Sequence, residues 1–177
     1  MKTKTENTEL AHVSRFSPEQ IEIVTDSTEM AEELVSDHYK MSAGQWLRSV
    51  YDIKTLVDLA AEEIVQGPYA QIIRYEGKPQ TGTLGSSSFD FYKICIQDHS
   101  ILSTLAGSPG IKLSPFSLYI VTHELIHVVR FKKFLQNFSA SPQETMDEEK
   151  RVHDTTRHIL RKTRVQGLSS VLSFYRK

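Results

Sequence analysis

The chain has 177 residues, of which 39% are hydrophobic and 24% charged, a composition that suits one globular domain with its own core and argues against a fibrous or disordered chain. A formal net charge of -1 and a pI near 6.7 supply no global attraction to polyanions, so neither nucleic acid nor an anionic membrane surface is an expected partner. The single cysteine, Cys95, can form no internal disulfide, and the polar N-terminus carries no apolar signal-like stretch, so a cytoplasmic location is expected.

Taken in chain order, residues 1–15 are polar and aperiodic and read as a flexible arm ahead of one domain spanning 16–177. Met30, Ala31, Leu34, Val35 and His38 recur at helical spacing, with Ser27 as the expected N-cap of a helix over 27–40. Trp46, Leu47, Val50, Ile53, Leu56, Val57, Leu59 and Ala60 continue that period and predict one or two further helices, stopped by Gly67-Pro68. The pattern then changes to branched and aromatic residues over 69–75 and 89–97, predicting two strands joined by a Gly-, Thr- and Ser-rich loop. Within that loop Gly82-Thr83-Leu84-Gly85 lacks the Gly-Lys-Ser/Thr ending of a phosphate-binding loop. After the break at Gly107-Ser108-Pro109-Gly110, Ser114-Pro115 opens a helix expected to reach about Asn137. Ser141-Pro142-x-Glu144 has the form of a capping box and starts another, expected to run to Gly167, after which residues 168–175 form a short amphipathic tail. The fold class expected is α+β: a mainly helical single domain with a small antiparallel sheet packed on the helix that contains residues 123–127.

That helix carries His123-Glu124-Leu125-Ile126-His127. Positions i and i+4 share a helix face, so the two imidazoles can turn toward one point, and Glu124 stands beside the first of them. Two imidazole ligands and an adjacent carboxylate that can take a proton from a water are what metal-assisted hydrolysis requires. Val121-Thr122, Leu125-Ile126 and Val128-Val129 surround the motif with mostly apolar residues, which predicts a buried helix. Burial of two histidines and a glutamate demands polar partners or a metal.

An open zinc site takes three protein ligands, so one more must come from elsewhere. In the helix beginning at Pro142, Met146, Val152, Thr156, Ile159 and Leu160 define the expected apolar face, with Glu149 projecting from its middle, Glu148 off it, and His153 four residues later on the side of Glu149. Glu149 ranks first as third ligand and His153 second. The competing reading pairs Glu149 and His153 with each other or with Arg130 as a structural contact. Tyr119 and Arg130 flank the motif as weaker oxyanion-stabilising candidates, with core packing and snorkelling the favoured roles. Cys95 reads as a small buried hydrophobe.

The motif and its surroundings resemble the zincin superfamily of metallopeptidases. Glu149 and His153 resemble the gluzincin branch, in which a downstream helix supplies a glutamate ligand and a polar residue four positions later supports the motif. Aspartate is usual at that later position, so His153 is a departure. The glycine and histidine that extend the motif in metzincins are missing from residues 128–136. The resemblance implies one Zn2+ per chain on His123, His127 and Glu149, with Glu124 and His153 as catalytic residues acting on a peptide or protein substrate. It also implies an edge strand ahead of the helix that pairs with substrate, a place that residues 89–97 hold in chain order, although the largely apolar Phe91-Lys93-Cys95 and Tyr92-Ile94-Ile96 faces favour an ordinary core strand there. Two other functions fit the sequence: a regulatory domain that binds metal without turnover, and, more distantly, a di-iron bundle, whose second Glu-x-x-His pair is lacking because Glu149 and His153 are four apart.

Overall fold

The computed structural model describes residues 13–42, 44–45, 51–76, 90–133 and 135–176. Most of the expected N-terminal arm, the stretch 46–50 and the loop 77–89, with its glycines and serines, lie outside the described residues.

The first helix, α1 (Pro18–Tyr39), starts ten residues before the sequence pattern places it. Ser17 is its cap: the Ser17 hydroxyl accepts from the Gln20 N–H at 3.2 Å, while Gln20 Oε1 accepts from the Ser17 N–H at 2.9 Å, and Pro18 fills the first turn. Ser27, expected as the cap, lies mid-helix and buried, donating to the Ile23 carbonyl at 2.8 Å and lying 3.1 Å from the Ser114 carbonyl. Over the described residues from 51 on, the helices predicted before Gly67 are replaced by a strand, β1 (Tyr51–Lys54), and two single turns of 3-10 helix at Leu56–Asp58 and Ala61–Glu63, while Trp46, Leu47 and Val50 lie outside the described residues. Helical spacing of Ile53, Leu56 and Val57 is overridden because β1 finds a sheet partner distant in sequence.

Strands β2 (Ala70–Glu76) and β3 (Asp90–Ile96) form the expected antiparallel pair, with Ile72 opposite Ile94. β1 pairs with β3 in parallel, Ile53 opposite Ile94, so the order is β1-β3-β2 and the sheet is mixed rather than purely antiparallel. This makes β3 the central strand, as its apolar character on both faces favours, and leaves β2 and β1 as the edges. One sheet face, with Ile72, Tyr92, Ile94 and Ile96, joins the core. On the other, Glu63 receives Lys93 at 2.7 Å and the Tyr75 hydroxyl at 2.9 Å.

A helix absent from the sequence reading, α2 (Asp98–Gly107), follows β3 directly. Its first residue organises the fold: the buried Asp98 carboxylate accepts the Phe16 N–H at 2.9 Å and the Leu56 N–H at 3.1 Å, tying together the approach to α1, the first 3-10 turn and α2. Buried Gln97 does the same one residue earlier, accepting the Val65 N–H at 3.0 Å and donating to the Glu63 carbonyl at 2.9 Å. The central helix α3 (Leu113–Lys132) stops short of the predicted Asn137. From Pro115 to Val129 every residue except Glu124 is buried. Next, α4 (Pro142–Leu160) opens on the predicted capping box, Glu144 accepting the Ser141 N–H at 2.8 Å, but ends seven residues before Gly167. Gly167, with φ of 84°, instead precedes α5 (Leu168–Phe174), in the left-handed region where glycine is least strained. The result is a single α+β domain, five α-helices and one small sheet among the described residues, sharing one hydrophobic core. No described helix is long and apolar enough to cross a membrane.

Candidate metal centre

The break in burial on α3 at Glu124 marks a cleft of about 460 Å³ between α3, α4 and β2. His123 and His127, both buried, converge there with their Nε2 atoms 3.2 Å apart. From α4, Glu149 sets Oε2 3.3 Å from His123 Nε2 and Oε1 3.1 Å from His127 Nε2. Ligand atoms about 2.0–2.1 Å from a tetrahedral zinc stand about 3.3 Å apart, the spacing of each of these pairs, with the two histidines meeting different oxygens of the carboxylate. Two imidazole nitrogens approach this closely only by sharing a proton or by turning lone pairs to a common cation, and the carboxylate suits either.

Glu149 reaches this position for a different reason from the one the sequence suggests. The buried face of α4 is Glu148, Val152, Thr156, Ile159 and Leu160, while Met146, assigned to the apolar face, is 67% exposed. Glu148 is therefore the packed glutamate, held by the partly buried Arg130 guanidinium and by Arg151 at 2.9 Å. Glu149, one residue round the helix, points into the cleft with its side chain 46% exposed. Arg130, weighed as an oxyanion donor, is committed to Glu148 and lies 3.4 Å from the Leu135 carbonyl.

His153 lines the same cleft, its ring centroid 4.4 Å from that of His123. A ring nitrogen of His153 and donor atoms of His123 and Glu149 all lie within 4.8 Å of one another, a group that could itself hold a metal ion. His153 Nδ1 is 2.8 Å from the Tyr119 hydroxyl, so its polar partner is the tyrosine one turn before His123 rather than a ligand histidine. Tyr119 in turn stacks on Tyr175 with centroids 3.9 Å apart, which fixes the ring that holds His153. The outer nitrogen of His127, Nδ1, meets the Gln136 amide oxygen at 3.0 Å. His123 Nδ1 is buried without a hydrogen-bond partner among the described residues.

The charges follow from this packing. Hydrogen bonds from His123 and His127 hold the Glu149 carboxyl well below the usual carboxylate range. Burial pushes His123 down to about 4, against the opposing pull of Glu149. Burial also works against a charged His127, but its Glu149 hydrogen bond and the charges of Glu124 and Glu149 outweigh it and the net direction is upward. Burial pushes Glu124 up to about 7, with Glu149 adding and His127 opposing. A carboxyl poised there can take and return a proton near neutral pH. Cys95 is fully buried, its thiol pushed up to about 11 by burial.

The structure thus brings His123, Glu124, His127, Glu149 and His153 to one cleft. Gln136, one of several polar residues in the segment after α3, carried no sequence signal. Comparison with protein-family models, with curated proteins and with solved structures found no match.

Proposed function

We propose that the protein is a small zinc-dependent hydrolase of zincin type, acting on peptide bonds. The observation that carries this reading is the convergence of His123 Nε2, His127 Nε2 and the Glu149 carboxylate, 3.1–3.3 Å apart, beside Glu124. His123, His127 and Glu149 would hold the ion, which when bound supplies Lewis acidity and a water that ionises more easily. Glu124 takes a proton from the water as its oxygen bonds to the scissile carbonyl carbon. The same carboxyl then gives that proton to the departing amide nitrogen as the C–N bond breaks. His153, steadied by Tyr119, faces the carbonyl oxygen as negative charge builds there. An extended backbone is the favoured substrate form because β2, an edge strand, runs along the cleft through Ala70, Gln71 and Ile72 and can add a strand. The lone buried cysteine suits a reducing setting, and we place the activity in the cytoplasm.

Zinc analysis of the untagged protein and of His123→Ala is the first test, followed by a peptide-mixture digest with the parent and Glu124→Gln. About one zinc in the parent, little in His123→Ala, and cleavage lost on Glu124→Gln with zinc retained is the expected outcome. Full cleavage by Glu124→Gln refutes the general-base role. A second reading, a metal-binding domain without turnover, is favoured by the His153 nitrogen near His123 and Glu149, which could close the site as a fourth ligand. Zinc bound by four protein ligands, with no cleavage of any peptide, would establish that reading instead.

A further inference from the structure

We infer that Gln136 is a positioning residue for the metal centre, its amide oxygen fixing the tautomer of His127 so that Nε2 offers a lone pair toward His123 and Glu149. This rests on the metal reading of the site and adds to it a residue from outside both helices.

The Gln136 Oε1 atom lies 3.0 Å from His127 Nδ1. An amide oxygen only accepts, so the bond requires Nδ1 to carry the hydrogen, and in the neutral ring, the form that binds a metal, Nε2 is then bare. The converse orientation of the amide would have its NH2 donate to Nδ1 and place the hydrogen on Nε2, where it would go to Glu149 Oε1 at 3.1 Å and close the position to a metal. Which atom Gln136 presents therefore selects between a ligand pair and a proton-sharing His-Glu contact. His123 has no such partner on its Nδ1 among the described residues, so Gln136 acts on the one motif histidine whose outer nitrogen is engaged.

The backbone on either side of Gln136 is anchored. The Leu135 N–H donates to the Arg130 carbonyl at 2.9 Å, and Arg130 is gripped by Glu148. Two residues later Phe138 packs on Phe131, centroids 5.1 Å apart, with the Arg74 guanidinium 5.0 Å over its ring. These contacts leave Gln136 half-buried at the wall between the metal cleft and a neighbouring cavity of about 290 Å³. An outer partner of this kind is worth roughly 10–100-fold in metal affinity.

The test measures zinc dissociation constants, by chelator competition, for the parent, Gln136→Leu and Gln136→Glu, with 15N shifts of the His127 ring recorded on the same proteins. The leucine keeps the bulk and loses the acceptor; the glutamate keeps an acceptor and cannot donate when ionised. The expected result is weakening by roughly 10–100-fold for Gln136→Leu and affinity at or above the parent's for Gln136→Glu, with His127 protonated on Nδ1 in the parent. Equal binding by parent and Gln136→Leu, or a fall in Gln136→Glu as large as that in Gln136→Leu, overturns the assignment while leaving the metal site intact. A parent that takes up no zinc overturns the metal reading itself, and this assignment with it.

Discussion

The adjacent glutamates of α4 have opposite roles, and replacing Glu148 with alanine separates them. Glu148 is buried and accepts from the Arg130 guanidinium, whose side chain is 11% exposed, and from Arg151 at 2.9 Å. Arg151 is 59% exposed and returns to water when its partner is removed, so its share is at most about 1 kcal/mol. Arg130 cannot do so, and a buried charge left without its partner costs about 3–5 kcal/mol. The contacts that remain, with Tyr39 and with the Leu135 carbonyl at 3.4 Å, recover only part of that. Glu148→Ala should therefore lower the unfolding free energy by about 3–4 kcal/mol, moving a urea midpoint by roughly 1.5–2 M if the slope is about 2 kcal/mol/M. The double variant Glu148→Leu with Arg130→Met should recover most of the loss, since matched apolar groups replace a buried ion pair at little cost. Glu149→Ala, by contrast, should leave stability without zinc within about 1 kcal/mol of the parent, because the side chain is half exposed, and should lose zinc. Urea unfolding in chelator, paired with zinc analysis of each variant, reads both effects. A loss below about 1 kcal/mol for Glu148→Ala, or a double variant as unstable as the sum of its singles, refutes the argument.

Three further outcomes are expected. Asp98→Ala strips the Phe16 and Leu56 N–H groups of their buried acceptor and should cost about 2–4 kcal/mol, part of the loss offset because the buried carboxylate is itself disfavoured, as its raised pKa indicates; thermal or urea unfolding checks it. The Lys93 hydrogen bond and the Ala60 N–H hold Glu63 below its ordinary value of 4.5, and Glu63 raises Lys93 above 10.5. The pair's contribution should thus be full between those ordinary values, fade as pH falls through the lowered Glu63 value, and fade again as pH rises through the raised Lys93 value. Lys93→Met should flatten the acid limb of a stability-against-pH curve, and an unchanged acid limb would count against the pairing. Cys95, with its thiol raised to about 11 and fully buried, should resist iodoacetamide at pH 8 in the folded protein and react once urea unfolds it; rapid alkylation of native protein would contradict its burial.

What the sequence determined by itself are the features whose partners lie within a few residues. His123 and His127 share a face because four residues make about one helical turn, and the Ser141–Glu144 capping box closes over three residues. The capping box that starts α1, Ser17–Gln20, is just as local, but the apolar period that begins after Ser27 is the stronger pattern and points to a later start. The paired strands β2 and β3 were visible in their branched and aromatic residues, and the mainly helical α+β class followed from the alternation of patterns. Tertiary structure decided the rest. β1 is a strand because β3 lies beside it, roughly forty residues on, and that pairing makes β3 central and gives the cleft β2 as its edge. Glu148 and Glu149 differ by only about 100° around one helix, too small an angle for a hydrophobic pattern to resolve, and the grip of Arg130 on Glu148 settled which of them points at the histidines. Gln136 meets His127 nine residues away, and Asp98 meets Phe16 across 82. Hydrogen bonds over such separations leave no periodic trace in a sequence, because their geometry comes into being only when the core assembles around α3.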